Sequence, residues 1–172
     1  MTSHRETTAA IRIAELPAGT LGGLVGVTFA PGKQQTDGLT GRHDRDLDAD
    51  LDAVAAWGAA AVVTLMEADE LDRYRIPNIG VEVRARFMEW HHLPIRDVDV
   101  PDAAFEAVWP QHSARLRSLV AAGSRVLIHC RGGLGRAGMV AARLLIEMGA
   151  ASAEASAAVR RARDPRAIET CA

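Results

Sequence analysis

The chain has 172 residues, a formal net charge of −2, 48% apolar and 24% charged residues, a length that fits one domain burying roughly 70% of its unfolded surface. So small a charge leaves no basic field for nucleic acid or an anionic membrane, and the longest apolar stretch, residues 53–66, is too short to cross a bilayer. Cys130 and Cys171 make no disulfide framework, and the N-terminus lacks the apolar core of a signal peptide, so a reducing cytoplasm is the expected location.

In chain order, residues 1–20 read as a polar N-terminal arm punctuated by Pro17 and Gly19, with the domain proper expected over 21–172. Residues 21–29 (LGGLVGVTF) have strand character, 30–33 form a turn, and the polar segment up to Arg45 reads as loop. Residues 46–57 space Leu47, Leu51, Val54 and Ala55 as an amphipathic helix that Gly58 stops. The continuous apolar run 60–66 predicts a strand covered on both faces.

Two short helices over 67–74 and 78–87, divided by Pro77, precede a third strand at 88–95 and an acidic loop at 96–102. Asp102 is placed to cap a long helix reaching residue 122, which Pro110 should kink or split. A strand at 124–129, a helix at 136–148 ended by Gly149, and a last helix at 152–163 complete the chain. Strands alternating with helices predict a single α/β domain with a central, mostly parallel sheet flanked by helices.

The stretch 126–140 (VLIHCRGGLGRAGMV) carries the chemistry: an apolar strand, a His-Cys pair, a glycine-rich loop, an arginine and a helix. Gly133, Gly135 and Gly138 spell G-x-G-x-x-G, but no strand ending in an acidic residue follows, as a dinucleotide site requires. No Gly-Lys-Ser/Thr completes a Walker loop either. An ordinary turn with a buried cysteine leaves the conjunction of His129, Cys130, the glycines and Arg136 unexplained. A cysteine nucleophile accounts for all of it. Attack on a phosphate monoester needs a thiolate, and a helix N-terminus, inward-turned amides and an arginine favour the charged form. Gly132, Gly133 and Gly135 let the amides from Arg131 through Leu134 to Arg136 cradle phosphate oxygens, while Arg136 holds the charge of the transition state.

This H-C-x5-R pattern resembles the protein tyrosine phosphatase superfamily, in its dual-specificity branch. Residues 29–33 (FAPGK), 69–78 (DELDRYRIPN), 91–97 (HHLPIRD) and 129–136 (HCRGGLGR) are together similar to the cyclin-dependent kinase-associated type within that branch. The resemblance implies Cys130 as nucleophile, Arg136 as phosphate ligand, His129 as support for Cys130, and no metal or cofactor. It places the general acid at Asp97, with Asp99 and Asp102 as rivals in the same loop, Asp102 being better suited to capping.

Two departures stand out. The family usually has Ser or Thr after the arginine, and here the residue is Ala137. Losing that hydrogen bond to the leaving thiolate costs on the order of 1.5–3 kcal/mol, so a slower enzyme is expected, with a low-turnover phosphate-binding module as the alternative. Residues 167–170 look like the family segment that closes over the site, and the role that a further, often Gln-containing helix has in relatives is not carried over to this sequence.

The expected partner is a phosphorylated protein or a small phosphomonoester. Leu134, and Arg131 as the one basic residue inside the loop, argue against polyphosphoinositides. The adjacent His91 and His92 point to opposite faces and suit support better than metal ligation. Tyr74 and Trp57 suit packing, Lys33 is expected to be solvated or else to border the substrate groove, and Cys171 reads as a surface thiol.

Overall fold

The computed structural model describes residues 9–38 and 41–168. Five strands form the main sheet, in the order β1-β2-β7-β5-β6. The central four, β2 (Gly23–Thr28), β7 (Arg125–His129), β5 (Ala59–Thr64) and β6 (Glu89–His92), run parallel. β1 (Ala14–Ala18) closes one edge antiparallel to β2. Part of the sequence expected to be an arm is therefore sheet: Leu16 has a single side to bury, and it does so.

A second departure is the hairpin β3 (Gln34–Gly38) and β4 (Gly41–Asp44), where the sequence reads as loop. Its polar residues give no alternation, so pairing rather than patterning defines it. The remaining elements fall close to expectation: α1 (Leu47–Trp57), α2 (Ala68–Arg73), α3 (Ile79–Ala85), α4 (Ala103–Ala121), α5 (Gly135–Glu147) and α6 (Ser152–Ala162). Helix α1 is capped by the Asp46 carboxylate and stopped by Gly58 at φ 95°. Helix α4 continues across Pro110 without splitting, and Asp102 accepts the Phe105 N–H at 2.8 Å as its cap.

The apolar runs are continuous because the sheet is covered on both faces. On β7, Val126 and Ile128 enter one core with Phe105, Trp109 and Leu116 of α4, and Val140 and Leu144 of α5. Leu127, pointing the other way, enters a second core with Leu51 and Val54 of α1 and Ile79 and Val83 of α3. Parallel strands also put their exit loops along one edge of the sheet. The loops after β2, β5, β6 and β7 meet there, bringing together Lys33, Glu70, Asp97 and Cys130. Among the described residues no helix is long and apolar enough to cross a membrane.

Candidate active site

Cys130 follows β7 directly and is 3% exposed. Its Sγ accepts the Gly133 N–H at 3.2 Å. Gly133 has φ 69°, and a Cβ there would stand 2.5 Å from the Thr28 carbonyl carbon, so no side chain fits. The loop feeds the first turn of α5, whose N–H groups have no intrahelical partners and carry the positive end of the helix dipole. Cys130, Arg131, Gly132, Leu134, Gly135 and Arg136 line a cavity of about 190 Å³ together with Asp97, Val98 and Asp99.

His129 supports this cysteine through its backbone. The Trp90 indole, which can only donate, gives its N–H to Thr64 Oγ1 at 2.8 Å. Thr64 Oγ1 lies 2.7 Å from His129 Nε2, and His129 Nδ1 lies 3.3 Å from the Cys130 carbonyl. A carbonyl only accepts, so Nδ1 carries the proton and Nε2 receives the Thr64 hydroxyl. Burial pushes the His129 pKa down to about 4, against the pull of that carbonyl bond, with Arg136 and His92 adding to the fall. His129 is neutral at physiological pH.

Arg136 is 3% exposed and tightly held. Its Nη1 and Nη2 donate to the two carboxylate oxygens of Glu70 at 2.7 and 2.9 Å, and Nη1 also donates to the Ile95 carbonyl at 2.9 Å. That leaves the Nε–Nη2 edge of the fork for a phosphoryl group. Asp97 Oδ1 stands 3.1 Å from Nη2 on this side, while Asp97 Oδ2 is 3.1 Å from Arg131 Nη1. Burial alone would lower the Arg136 pKa, but the Glu70 bonds and the charges of Cys130 and Asp97 raise it instead. Glu70 is itself fixed, its Oε2 accepting the Glu67 N–H at 2.8 Å in the first turn of α2.

The three loop aspartates separate by contact. Asp97 reaches both arginines, Asp99 accepts the Val100 N–H at 2.8 Å, and Asp102 caps α4. Arg131 also donates to the Tyr74 hydroxyl at 3.4 Å, so Tyr74 does more than pack. His91 and His92 are engaged elsewhere: His91 Nδ1 faces His112 Nδ1 at 2.7 Å and its Nε2 faces Glu89 at 3.0 Å, while His92 Nε2 lies 2.8 Å from the Met66 carbonyl. Ala137 is fully buried in the core. The Ile168 N–H donates to the Leu134 carbonyl at 3.2 Å, tying the C-terminal segment to the loop. Residues 169–172, with Cys171, lie outside the described residues.

Three residues take part that sequence reasoning left without a role or placed elsewhere. Glu70 sits inside the family-like stretch 69–78, which was the available signal. Arg163, just after α6, donates from Nε and Nη2 to the Gly133 and Gly132 carbonyls at 3.0 and 3.1 Å, holding the loop from outside, and nothing in its arginine-rich surroundings singles it out. Lys33, for which solvation was the favoured expectation, is buried.

Residues 39–171 match the family model of the Swiss Army Knife protein, DSP-PTPase phosphatase domain. The chain belongs to the DSP-PTPase phosphatase family. Its relatives include rat cyclin-dependent kinase inhibitor 3, 32% identical over 102 residues, which cover 59% of this chain and 47% of that protein. The chain thus spans about half the length of the curated relatives it matches. Among solved structures, a kinase associated phosphatase with its catalytic-site cysteine changed to serine superposes with a TM-score of 0.80 at 26% identity, covering 94% of this chain and 89% of the other. Tk-PTP in its active form gives 0.63 at 33% identity, covering 89% and 88%. The DSP-PTPase fold, a parallel sheet flanked by helices, is the one the sequence predicts.

Proposed function

We propose that this protein hydrolyses phosphate monoesters through a cysteinyl-phosphate intermediate, with phosphotyrosine, phosphoserine or phosphothreonine of a protein as substrate. The observation that carries the reading is the Cys130 sulfur at a cavity lined by Arg136, Arg131, Asp97 and the loop 130–136. In the first step Cys130 Sγ attacks phosphorus, the ester P–O bond breaks, and the leaving oxygen takes a proton from Asp97. Loop amides and the Nε–Nη2 edge of Arg136 hold the phosphoryl oxygens. In the second step the Asp97 carboxylate takes a proton from water, which attacks phosphorus, breaks the S–P bond and releases phosphate with the Cys130 thiolate. The domain carrying this chemistry corresponds to residues 21–172, with the N-terminal segment contributing its edge strand. A protein substrate agrees with relatives named for kinase association, and with the exposed Val98 and Val100 beside the cavity.

The test is hydrolysis of an aryl phosphate with a metal chelator present. Turnover is expected in the wild type and none in Cys130→Ser; chelator-resistant turnover no greater than that of Cys130→Ser would sink the proposal. The second reading, a phosphate-binding module of low turnover, is favoured by one observation: the position after Arg136 offers a buried methyl, Ala137, where a hydroxyl would help the thiolate leave. Ala137→Ser is expected to speed breakdown of the phospho-enzyme about tenfold in single-turnover experiments, as one charge-assisted hydrogen bond allows.

A further inference from the structure

Lys33 is the only lysine of the chain, and it is 2% exposed. A buried ammonium is costly unless something negative faces it. Among the described residues no carboxylate stands within ion-pair distance of it. The nearby candidate, Asp50, is spent: it takes Arg45 Nε and Nη2 at 2.8 and 2.7 Å and the Gly32 N–H at 2.8 Å. Lys33 Nζ lies 5.7 Å from the Phe29 ring centroid, but the Arg45 guanidinium shares that ring at 4.9 Å, so the π face is divided between two cations.

The turn carrying Lys33 is bonded to the phosphate loop. Ala30 donates its N–H to the Arg131 carbonyl at 3.2 Å, and Lys33 donates its own to the Ala30 carbonyl at 3.3 Å. The Phe29 backbone packs directly against Gly133. Lys33 is not among the residues lining the cavity. The charges that reach it are positive ones from Arg131 of the loop, Arg163 after α6 and Arg45 beside the hairpin, and a negative one from Cys130. His43 of the hairpin faces it too, its own pKa lowered by burial first and then by Lys33.

We infer that Lys33 is a positioning residue of the phosphate site, a buried positive charge completed by the Cys130 thiolate and by a bound phosphoryl dianion. It rests on the reading of this loop as a phosphate site, and it adds a residue outside the H-C-x5-R motif. Burial, with Arg131 next, brings the Lys33 pKa down to about 8 in the free protein. A dianion in the loop favours the ammonium, so phosphate binding takes up a proton near that pH, and phosphate affinity falls as pH rises through it.

The single lysine makes the test direct. In protein carrying 13C at the lysine Cε, the one resonance reports the Lys33 titration. A midpoint near 8 is expected, moving upward with saturating inorganic phosphate and downward in Cys130→Ser. Conversely, Lys33→Met should slow iodoacetamide alkylation of Cys130 several-fold and weaken inorganic phosphate binding several-fold. Lys33→Arg should restore both and remove the loss of affinity above pH 8, because a guanidinium stays charged. A Lys33 midpoint indifferent to phosphate and to Cys130→Ser would overturn the inference, as would alkylation and phosphate binding unchanged in folded Lys33→Met. None of these readouts needs turnover, so a protein that binds phosphate without hydrolysing it passes them while failing the aryl phosphate assay.

Discussion

Arg136 and Arg86 each gather carboxylates, yet they sit in opposite settings. Arg86 follows α3 and reaches Asp48 at 3.0 Å, Asp52 at 2.8 Å and Glu82 at 3.2 Å, with Asp48 and Asp52 more than two-thirds exposed. It clamps α3 to α1 through carboxylates of which Asp48 and Asp52 stand in water, which weakens those two bonds. Arg136 and Glu70 are 3% and 5% exposed, and Glu70 is not among the residues lining the cavity. Arg86 spends its whole fork on structure. Arg136 spends half, and burial fixes the other half where phosphate would bind. The contrast shows that the count of ion pairs says little, and that the two arginines differ in burial and in the edge that Arg136 leaves to Asp97 and the cavity.

The largest effect should come from taking Glu70 away. Glu70→Ala takes the bidentate partner from a buried guanidinium and leaves it the half-exposed Asp97 and the Ile95 carbonyl, expected to cost about 3 kcal/mol in urea unfolding, and to lower kcat as Arg136 loses its orientation. A loss below about 1 kcal/mol would place this pair beside Arg86 and erase the distinction. Next comes Asp97→Asn, which keeps the shape of the acid loop and removes its charge. A kcat decrease of about 100-fold is expected for a poor leaving group, less for an activated aryl phosphate that departs without a proton. Inorganic phosphate should bind more tightly, since Asp97 no longer competes for the Nη2 edge of Arg136; weaker binding would contradict that competition. The smallest effect belongs to Arg86→Ala: about 1 kcal/mol or less of stability, fading with added salt, and kcat unchanged. A fall in kcat would mean that the α1–α3 clamp reaches the site.

How much of the site was legible follows from chain distance. Cys130, Arg136 and the glycines lie within one strand-loop-helix unit, so the residue types dictate their own geometry: Gly133 must be glycine, and Arg136 must fall on the first turn of α5. Asp97 came from a family-like stretch, and its contact with both arginines could not be read from spacing. Glu70, Arg163 and Lys33 are separated from Cys130 by tens of residues, and no local pattern distinguishes a buried ion-paired glutamate or lysine from a solvated one. The hairpin β3–β4 was missed for a related reason, since polar residues carry no alternation to read.

The sequence by itself determined the elements from α1 onward, strand β2 and the cysteine loop with its arginine, because hydrophobic period, caps and glycine requirements act over a few residues; edge strand β1 and the β3–β4 hairpin came only with the structure. Tertiary structure alone decided which charges share that loop. Four parallel strands deliver their exit loops to one edge of the sheet, which sets Glu70 against the buried Arg136, Asp97 at its outer edge and the turn of Lys33 against the Cys130 loop.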